Sequence, residues 1–538
     1  MYNRALANCD SNATNELISW GVKAKIEGLK KDVIPAMHMT QHENCRVHMH
    51  DLEYYDVSYN CIGLDVEGLL GGRAKNMRDA LSRLVREIAN LTNLQSGGIG
   101  IINFDTDMAA YAKAGADEDI RYELNEFYKN LNINIRKGCE RAYVTLNFGL
   151  DTSNEGRRIS RLMLEAFFEG DDGMPFIFPN LVFKLRDGVN LSLGDANYDL
   201  LQLSAKVTAH CMIPTYFNTD ASYNSPHPPE ALGIVGCRTR LGANIHGTDG
   251  AIYRGNIAAS TINLVQLALE SHGSQDMFYS LLNETMNTAY EMLLQRYKTL
   301  LGNYGFEWVR EKGLMVDFDK SIDTMARNNT LAIGFIGLWE CVHALDITSS
   351  IEKAQKYGLE IISHMRGMTD AYTKKAGLNF SLLATSAEGI SGKFPTHDKK
   401  TYGEIKGLTD RDYYTNSFHV QVGVDMGCFD KIAWEGPFHA LCNGGCITYV
   451  ELNECPVGNS ESIVDLVTYA HAYDINYFGI NFPLDICTCG AKGIFNDNCD
   501  CCGKDEITRL RRVSGYLSES RKFTKGKKAE LKERKAHQ

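Results

Sequence analysis

No long hydrophobic run occurs in this 538-residue chain. Its most apolar stretch, residues 331–345, is broken by Glu340 and His343 and is shorter than the roughly 20 apolar residues that a bilayer span needs. The N-terminus does not combine a basic segment, an apolar run and a small-residue cleavage site, so neither secretion nor a membrane partner is expected, and the cytoplasm is the expected location. A surplus of positive charge is missing as well. The 56 Lys and Arg stand against 67 Asp and Glu, a formal charge of −11, which argues against sequence-independent binding of nucleic acid. Residues 519–538 are the exception, with eight Lys/Arg against three Glu. They read as a solvated, partly helical tail. Internal repeats and low-complexity linkers are absent too.

What is present is an alternating pattern, with enough apolar content (44%) to bury a large core. Helical periodicity marks residues 15–31, 74–93, 121–137, 159–169, 198–210, 263–301 (with a break) and 351–376. Between them lie short runs rich in β-branched and aromatic residues at 99–104, 143–148, 175–185, 447–452 and 477–482. The alternation predicts an α/β architecture around a largely parallel sheet or barrel. Near Asn481 the apolar pattern gives way to Cys, Gly and Asp, which divides the chain into a body, 1–480, and a small C-terminal region, 481–538.

Sixteen cysteines in a chain of this class are expected to be reduced core thiols, metal ligands or redox groups rather than structural disulfides. Five crowd into Cys487–Cys502. Two close pairs, Cys487/Cys489 and Cys499/Cys502, each followed by Gly, can set four thiolates around Zn²⁺, and with no open position such a zinc is structural. The first pair is one residue shorter than the usual spacing, leaving Cys501 as an alternative ligand. A redox-active or iron–sulfur cluster is the competing reading.

Some ten residues further stands Arg511-Arg512-Val513-Ser514-Gly515-Tyr516-Leu517. This stretch resembles the radical-bearing loop of the glycyl radical enzymes, in which a glycine Cα loses a hydrogen atom. Only glycine, lacking Cβ, lets that centre flatten and be approached closely. With the cysteine group just upstream, the resemblance narrows to the anaerobic, class III ribonucleoside-triphosphate reductases. Other stretches carry it in family order: His48-Met49-His50-Asp51 leading to Asn60-Cys61, Gly236-Cys237-Arg238, Arg254-Gly255-Asn256, Ile262-Asn263-Leu264, the loop from Tyr414 to Val420, and Gly444 to Leu452.

The resemblance implies a ten-stranded α/β barrel with a central finger loop around Cys237, plus a small zinc-binding and glycyl radical region. Gly515 would store a radical installed by a partner enzyme that uses S-adenosylmethionine and a [4Fe-4S] cluster. Cys237 would become the transient thiyl that takes the ribose 3′-hydrogen, since S–H and glycyl Cα–H bonds are of similar strength. Cys61 would donate a hydrogen, or pair with Cys237 if a dithiol supplies electrons, formate being the expected reductant. His48, Asn60 and Asn256 are expected to hold a ribose hydroxyl or formate by hydrogen bonds, with His50 and Asp51 structural. Asn416, Ser417 and His419 are expected on a mobile loop near the nucleobase. Substrates would be ribonucleoside triphosphates, with nucleotide effectors at the interface of a homodimer. Only residues 1–12 precede the first matching helix, so an N-terminal ATP-binding regulatory domain is not expected, as in compact phage-type members. An acyl transferase or eliminase of the same radical class would share the Gly515 motif, but would lack the cysteine group and be longer. A zinc-ribbon nucleic-acid-binding protein would account for the cysteines and basic tail, but not for the acidic body.

Overall fold

Five strands between residues 61 and 218 and five between 254 and 481 form one ring. The computed structural model describes residues 7–345 and 350–537. Strands β1 (Cys61–Leu64), β2 (Ile99–Ile101), β3 (Val144–Phe148), β4 (Asn180–Leu185) and β5 (Thr215–Asn218) lie side by side in parallel. Strands β6 (Arg254–Asn263), β7 (Thr330–Ile336) and β8 (Asn379–Ala384) form a second parallel set, as do β9 (Thr448–Glu451) and β10 (Tyr477–Asn481). The two halves meet antiparallel, β1 on β6 and β5 on β10. A parallel bridge from Leu383 to Gly445, just ahead of β9, closes the ring. An eleventh strand, Val47–Met49, pairs with β6 outside the main path.

Every residue of β3 and of β7 is buried, because helices cover the sheet outside and a loop fills it inside. Double burial alone does not hide a strand, since β3, Val-Thr-Leu-Asn-Phe, still alternates and is marked at 143–148. Strands β5, β6 and β7 carry no polar–apolar alternation, and β8 alternates only over Asn379–Leu382, so periodicity does not mark them. The long helices are legible. Ile351–Ala376 begins on the Ser350 side chain and ends at Gly377, with φ of +61°. The helical pattern over 263–301 splits into Leu264–Glu270 and Gln275–Leu300, interrupted at His272 and Gly273, both at positive φ. Among the described residues no helix is long and apolar enough to cross a membrane.

Between β5 and β6 the chain enters the ring as a hairpin, Ile234–Val235 against Thr239–Arg240, with Gly236-Cys237-Arg238 at its tip. Asn147 of β3 holds one side, accepting from the Ile234 N–H at 2.7 Å and donating to its carbonyl at 3.0 Å. On the other side the Arg238 guanidinium donates to the Ala384 carbonyl at 3.2 Å. Gly236 turns the tip with φ of +64°.

Beyond β10, strands β11 (Leu484–Cys487), β12 (Lys492–Gly493), β13 (Ile507–Arg512) and β14 (Leu517–Glu519) form a separate antiparallel sheet in the order β12-β11-β13-β14. The β13–β14 turn, residues 513–516, carries Gly515.

The tail departs from its expectation. It is helical over Lys525–Glu533, but it is docked rather than solvated. Lys527 is fully buried, 2.6 Å from Glu530, which also meets Arg534 at 2.9 Å. Composition shows the charge of such a helix but not its pairing. Burial by itself would raise the Glu530 pKa, yet Lys527 and Arg534 hold it down at about 2. A depressed carboxyl stabilises above its unfolded value near 4.5, and the stabilisation is lost as pH falls toward 2. Glu530→Ala, which strands a buried ammonium, should cost about 3 kcal/mol of tail docking. Trypsin should then cut residues 521–535 much faster than in the parent chain; unchanged cleavage would refute the pairing.

Candidate active site

The two hairpin tips meet inside the barrel. A Cβ built on Gly515 would stand 2.3 Å from the Cys237 carbonyl oxygen and 2.5 Å from its Cα and Cβ. Carbon atoms in contact sit about 3.5–4.0 Å apart, so no side chain fits there. The Gly515 loop is held on both flanks. The Tyr449 hydroxyl donates to the Ser514 carbonyl and accepts from Arg238 at 3.5 Å. The Tyr516 hydroxyl donates to the Glu388 carboxylate at 3.0 Å, and its ring packs edge-on against Tyr143 with centroids 5.2 Å apart.

A cavity of about 190 Å³ opens beside the tips, with Cys61, Cys237, Asn60, Ser386 and Glu388 on its wall. The Cys61 thiol donates to Oδ1 of Asn60 at 2.8 Å, and its sulfur accepts the Gly98 N–H at 3.2 Å. Burial pushes its pKa up to about 12, so at neutral pH it keeps its hydrogen. Across the cavity the Cys237 thiol faces the Ser386 hydroxyl at 3.5 Å. The Asn60 amide is oriented by Asp51, whose carboxylate accepts from Nδ2 at 2.7 Å and from Ser96 Oγ at 2.8 Å.

The structure thus brings together Gly515, Cys237, Cys61 and Asn60. It sets two expected neighbours apart. Asn256 lies on β6 opposite Cys61, but its amide turns away from the cavity to Thr330, donating to Oγ1 at 3.1 Å. His48 stands outside the wall, stacked on His42 with centroids 4.8 Å apart and edge-on to His50 at 4.9 Å. His50 and Asp51, expected to be structural, do line the cavity, and His50 Nε2 meets Thr261 Oγ1 at 2.7 Å. Burial lowers the pKa of all three histidines.

Asn416, Ser417 and His419 lie on a second, smaller cavity of about 50 Å³, or next to it, behind the Gly515 loop. Their loop lies inside the fold. Residues 413–420 are all buried; Glu340 accepts from the Thr415 N–H at 2.9 Å, and Glu435 meets His419 Nδ1 at 3.0 Å. Burial outweighs Glu435 and lowers the His419 pKa. Asn416 Oδ1, Ser417 Oγ and His419 Nε2 are buried without a partner among the described residues, which suits a polar ligand at this loop. Ser514 borders both cavities.

Sequence reasoning missed Glu388, Ser386, Tyr143, Arg136 and Glu140 as cavity residues. Ser386 and Glu388 follow the carboxyl end of β8, the end at which parallel strands present ligand-binding groups. Recognising β8 as a strand would have marked them.

At the edge of the small sheet, Cys487, Cys489, Cys499 and Cys502 converge, their sulfurs within 4.8 Å of one another. Cys487 and Cys502 are 3.5 Å apart, and Cys489 and Cys499 3.7 Å. Tetrahedral zinc with 2.3 Å bonds would space its sulfurs about 3.8 Å apart, so the four thiols fit the metal. Cys501 is exposed and outside the group.

Comparison with known proteins agrees. A family model described as anaerobic ribonucleoside-triphosphate reductase matches residues 7–537. The anaerobic ribonucleoside-triphosphate reductase of Enterobacteria phage T4 is 29% identical over 600 aligned positions, covering 99% of this chain and 96% of the relative. A solved anaerobic ribonucleotide reductase superposes with a TM-score of 0.78 at 17% identity, over 98% of this chain and 90% of that one. The Thermotoga maritima anaerobic ribonucleotide reductase in complex with dATP and CTP gives 0.75 at 16%, over 96% and 92%. At these structural identities the likeness speaks for the fold, and the family match extends it to descent. The chain belongs to the anaerobic ribonucleoside-triphosphate reductase family.

Proposed function

We propose that Gly515, Cys237 and Cys61 carry the radical chemistry by which this chain reduces ribonucleoside triphosphates to 2′-deoxyribonucleoside triphosphates without oxygen. The observation that carries this reading is the contact of the two hairpin tips, Gly515 directly on Cys237. A Gly515 radical takes the hydrogen of the Cys237 thiol, leaving Cα–H and a thiyl. The thiyl removes the 3′-hydrogen of a ribose held in the 190 Å³ cavity. The neighbouring 2′-hydroxyl, protonated, leaves as water. Cys61, kept as a thiol by burial and aimed by Asn60, gives a hydrogen atom to C2′, becoming a thiyl and leaving a 3′-ketone. The reductant returns a hydrogen atom to the Cys61 thiyl and passes one electron, with a proton, to the ketone; Cys237 then returns the 3′-hydrogen to the resulting 3′ radical, and the radical passes back to Gly515.

The two remaining electrons come from formate in this proposal, with a dithiol acting through Cys61 as the second reading. A separate radical-generating enzyme that uses S-adenosylmethionine and a [4Fe-4S] cluster installs the radical in this proposal. The loop of Asn416, Ser417 and His419 binds the nucleotide, supported by its unpartnered buried atoms. Asn60 touches substrate or formate, whereas Asn256 and His48 would act only from behind the wall. A zinc ion on Cys487, Cys489, Cys499 and Cys502 would fix the sheet from which the Gly515 hairpin extends. Nucleotide effectors and a homodimer complete the proposal, in line with the dATP and CTP of the Thermotoga complex.

Anaerobic incubation with the activating enzyme, S-adenosylmethionine and a reductant should give a glycyl doublet in electron paramagnetic resonance, absent in Gly515→Ala. A doublet that survives the substitution would put the radical elsewhere. Cys237→Ala should form the radical normally yet lose deoxynucleotide production, assayed with formate as the only electron source, by about 10⁴-fold or more. Residual turnover near the parent rate would remove Cys237 from the chemistry. Chelation should strip one zinc per chain and abolish radical installation while circular dichroism of the barrel persists; full radical yield in metal-free protein would contradict a supporting role.

A further inference from the structure

A second sulfur site lies across the cavity wall from the tips. The sulfurs of Cys9 and Cys139 and a carboxylate oxygen of Glu140 lie within 4.8 Å of one another. Cys9 pairs with Glu140 in an antiparallel bridge, and the Asp10 N–H donates to the Cys139 carbonyl at 2.8 Å. Both cysteines line a surface pocket of about 330 Å³. Glu140 forms part of that pocket and of the active-site cavity. A metal is disfavoured here, because the Arg136 guanidinium already faces Glu140 at 3.4 Å. Two sulfurs within 4.8 Å of each other, one on a bridged segment and one in the turn beside it, suit a disulfide instead.

The segment that carries Cys9 also touches the Gly515 loop and the strand after it. The Ala7 carbonyl accepts from the Ser518 hydroxyl at 2.6 Å, and the Ala7 N–H donates to Glu388 at 2.7 Å, the carboxylate that holds Tyr516. Ala7 packs with Val513, Tyr516 and Phe523, and Asp10 meets Lys522 at 2.6 Å. Residues 7–10 are thus a strap tied to the radical loop along one edge and to Cys139-Glu140-Arg141 along the other.

We infer that Cys9 and Cys139 are a redox site that takes low-molecular-weight disulfides, and that their oxidation fixes the strap and hinders release of the Gly515 loop. The inference rests on the radical reading above. Gly515 is buried against Cys237, so an external enzyme reaches its Cα only if the loop comes out. In the dithiol state strap and loop move together; in the disulfide state the loop must leave its contacts on a fixed strap. The chemistry balances. The partly exposed Cys9 thiolate attacks a small disulfide and releases one thiol, and the Cys139 thiolate then displaces the second. Two protein thiols lose two electrons and two protons, and the small disulfide gains them.

The test treats the full chain, before any radical is installed, with oxidised glutathione, and compares it with Cys9→Ser and Cys139→Ser. Peptide mapping without reductant should show one Cys9–Cys139 cross-link. The glycyl doublet after activation should fall by a factor of about five or more in the parent chain, recover with dithiothreitol, and be unaffected by glutathione disulfide in both variants. No cross-link, or a cross-linked chain with a full doublet, overturns the inference, as does an equal loss in the variants. An untreated parent chain that gives no doublet at all counts instead against the radical reading, and the cross-link remains measurable in that case.

Discussion

The rest of the structure depends on one backbone contact, that of Gly515 with Cys237. Hydrogen-atom transfer requires near contact between the exchanging atoms, and two backbones come this close only where one of them has no Cβ. The barrel supplies the room. Ten short strands enclose a space too wide for their own side chains, and a hairpin enters it from each of two directions. Each hairpin is then pinned by groups from the far wall. Asn147 and the β8 carbonyls fix the finger, while Tyr449 and Glu388 fix the glycine loop. Arg238 belongs to both sets, since it bonds β8 and the Tyr449 hydroxyl at once. A displacement of either tip therefore strains the same side chain, which couples the positions of two loops far apart in the chain.

The electrostatics around the tips favour atoms over ions. Burial raises the Cys61 pKa and lowers those of His42, His48 and His50, so each group is neutral near pH 7. A thiolate would be a poor hydrogen donor, and an imidazolium beside the cavity would stabilise one. The Asp51 carboxylate turns the Asn60 amide so that its oxygen, not its nitrogen, meets Cys61, and this keeps the sulfur's hydrogen pointed along a defined line.

The family of this chain was more legible in its sequence than its geometry was. Gly515, Cys237 and the four-cysteine group, to which the proposed chemistry is assigned, stand out because few other roles demand those residue types at those spacings. The short Cys-x-Cys turn brings both of its sulfurs into the group of four, while Cys501 is exposed outside it. The α/β class followed from helical periods such as residues 351–376. Much of the barrel was silent, because β5, β6 and β7 have no alternation to read and β8 only a four-residue run of it. The same silence hid Ser386 and Glu388, whose meaning comes from standing at a strand's end. His48 and Asn256 show the converse limit. Each sits in a telling motif, but side-chain direction, set by strand register, turns Asn256 to Thr330 and His48 to His42.

The glycine loop also shows why a small sheet needs a metal-sized staple. Strands β11 to β14 turn Leu484, Ile486, Leu510 and Leu517 into the main core, but the end that carries the cysteines has only Cys487, Phe495 and Cys499 buried together, too little to be rigid alone. Four thiols closing on one centre would replace that missing core at one end of the hairpin. At the other end the docked tail supplies a buried charge network, Lys527 with Glu530 and Arg534. The segment bearing Gly515 is thus suspended between two anchors of different chemistry, neither of which touches the reacting atoms. Between those anchors the loop itself is pinned only by side-chain contacts, Tyr449 on Ser514 and Glu388 on Tyr516, so it can leave the barrel without unfolding the sheet or the ring, as the proposed activation of a buried glycine requires.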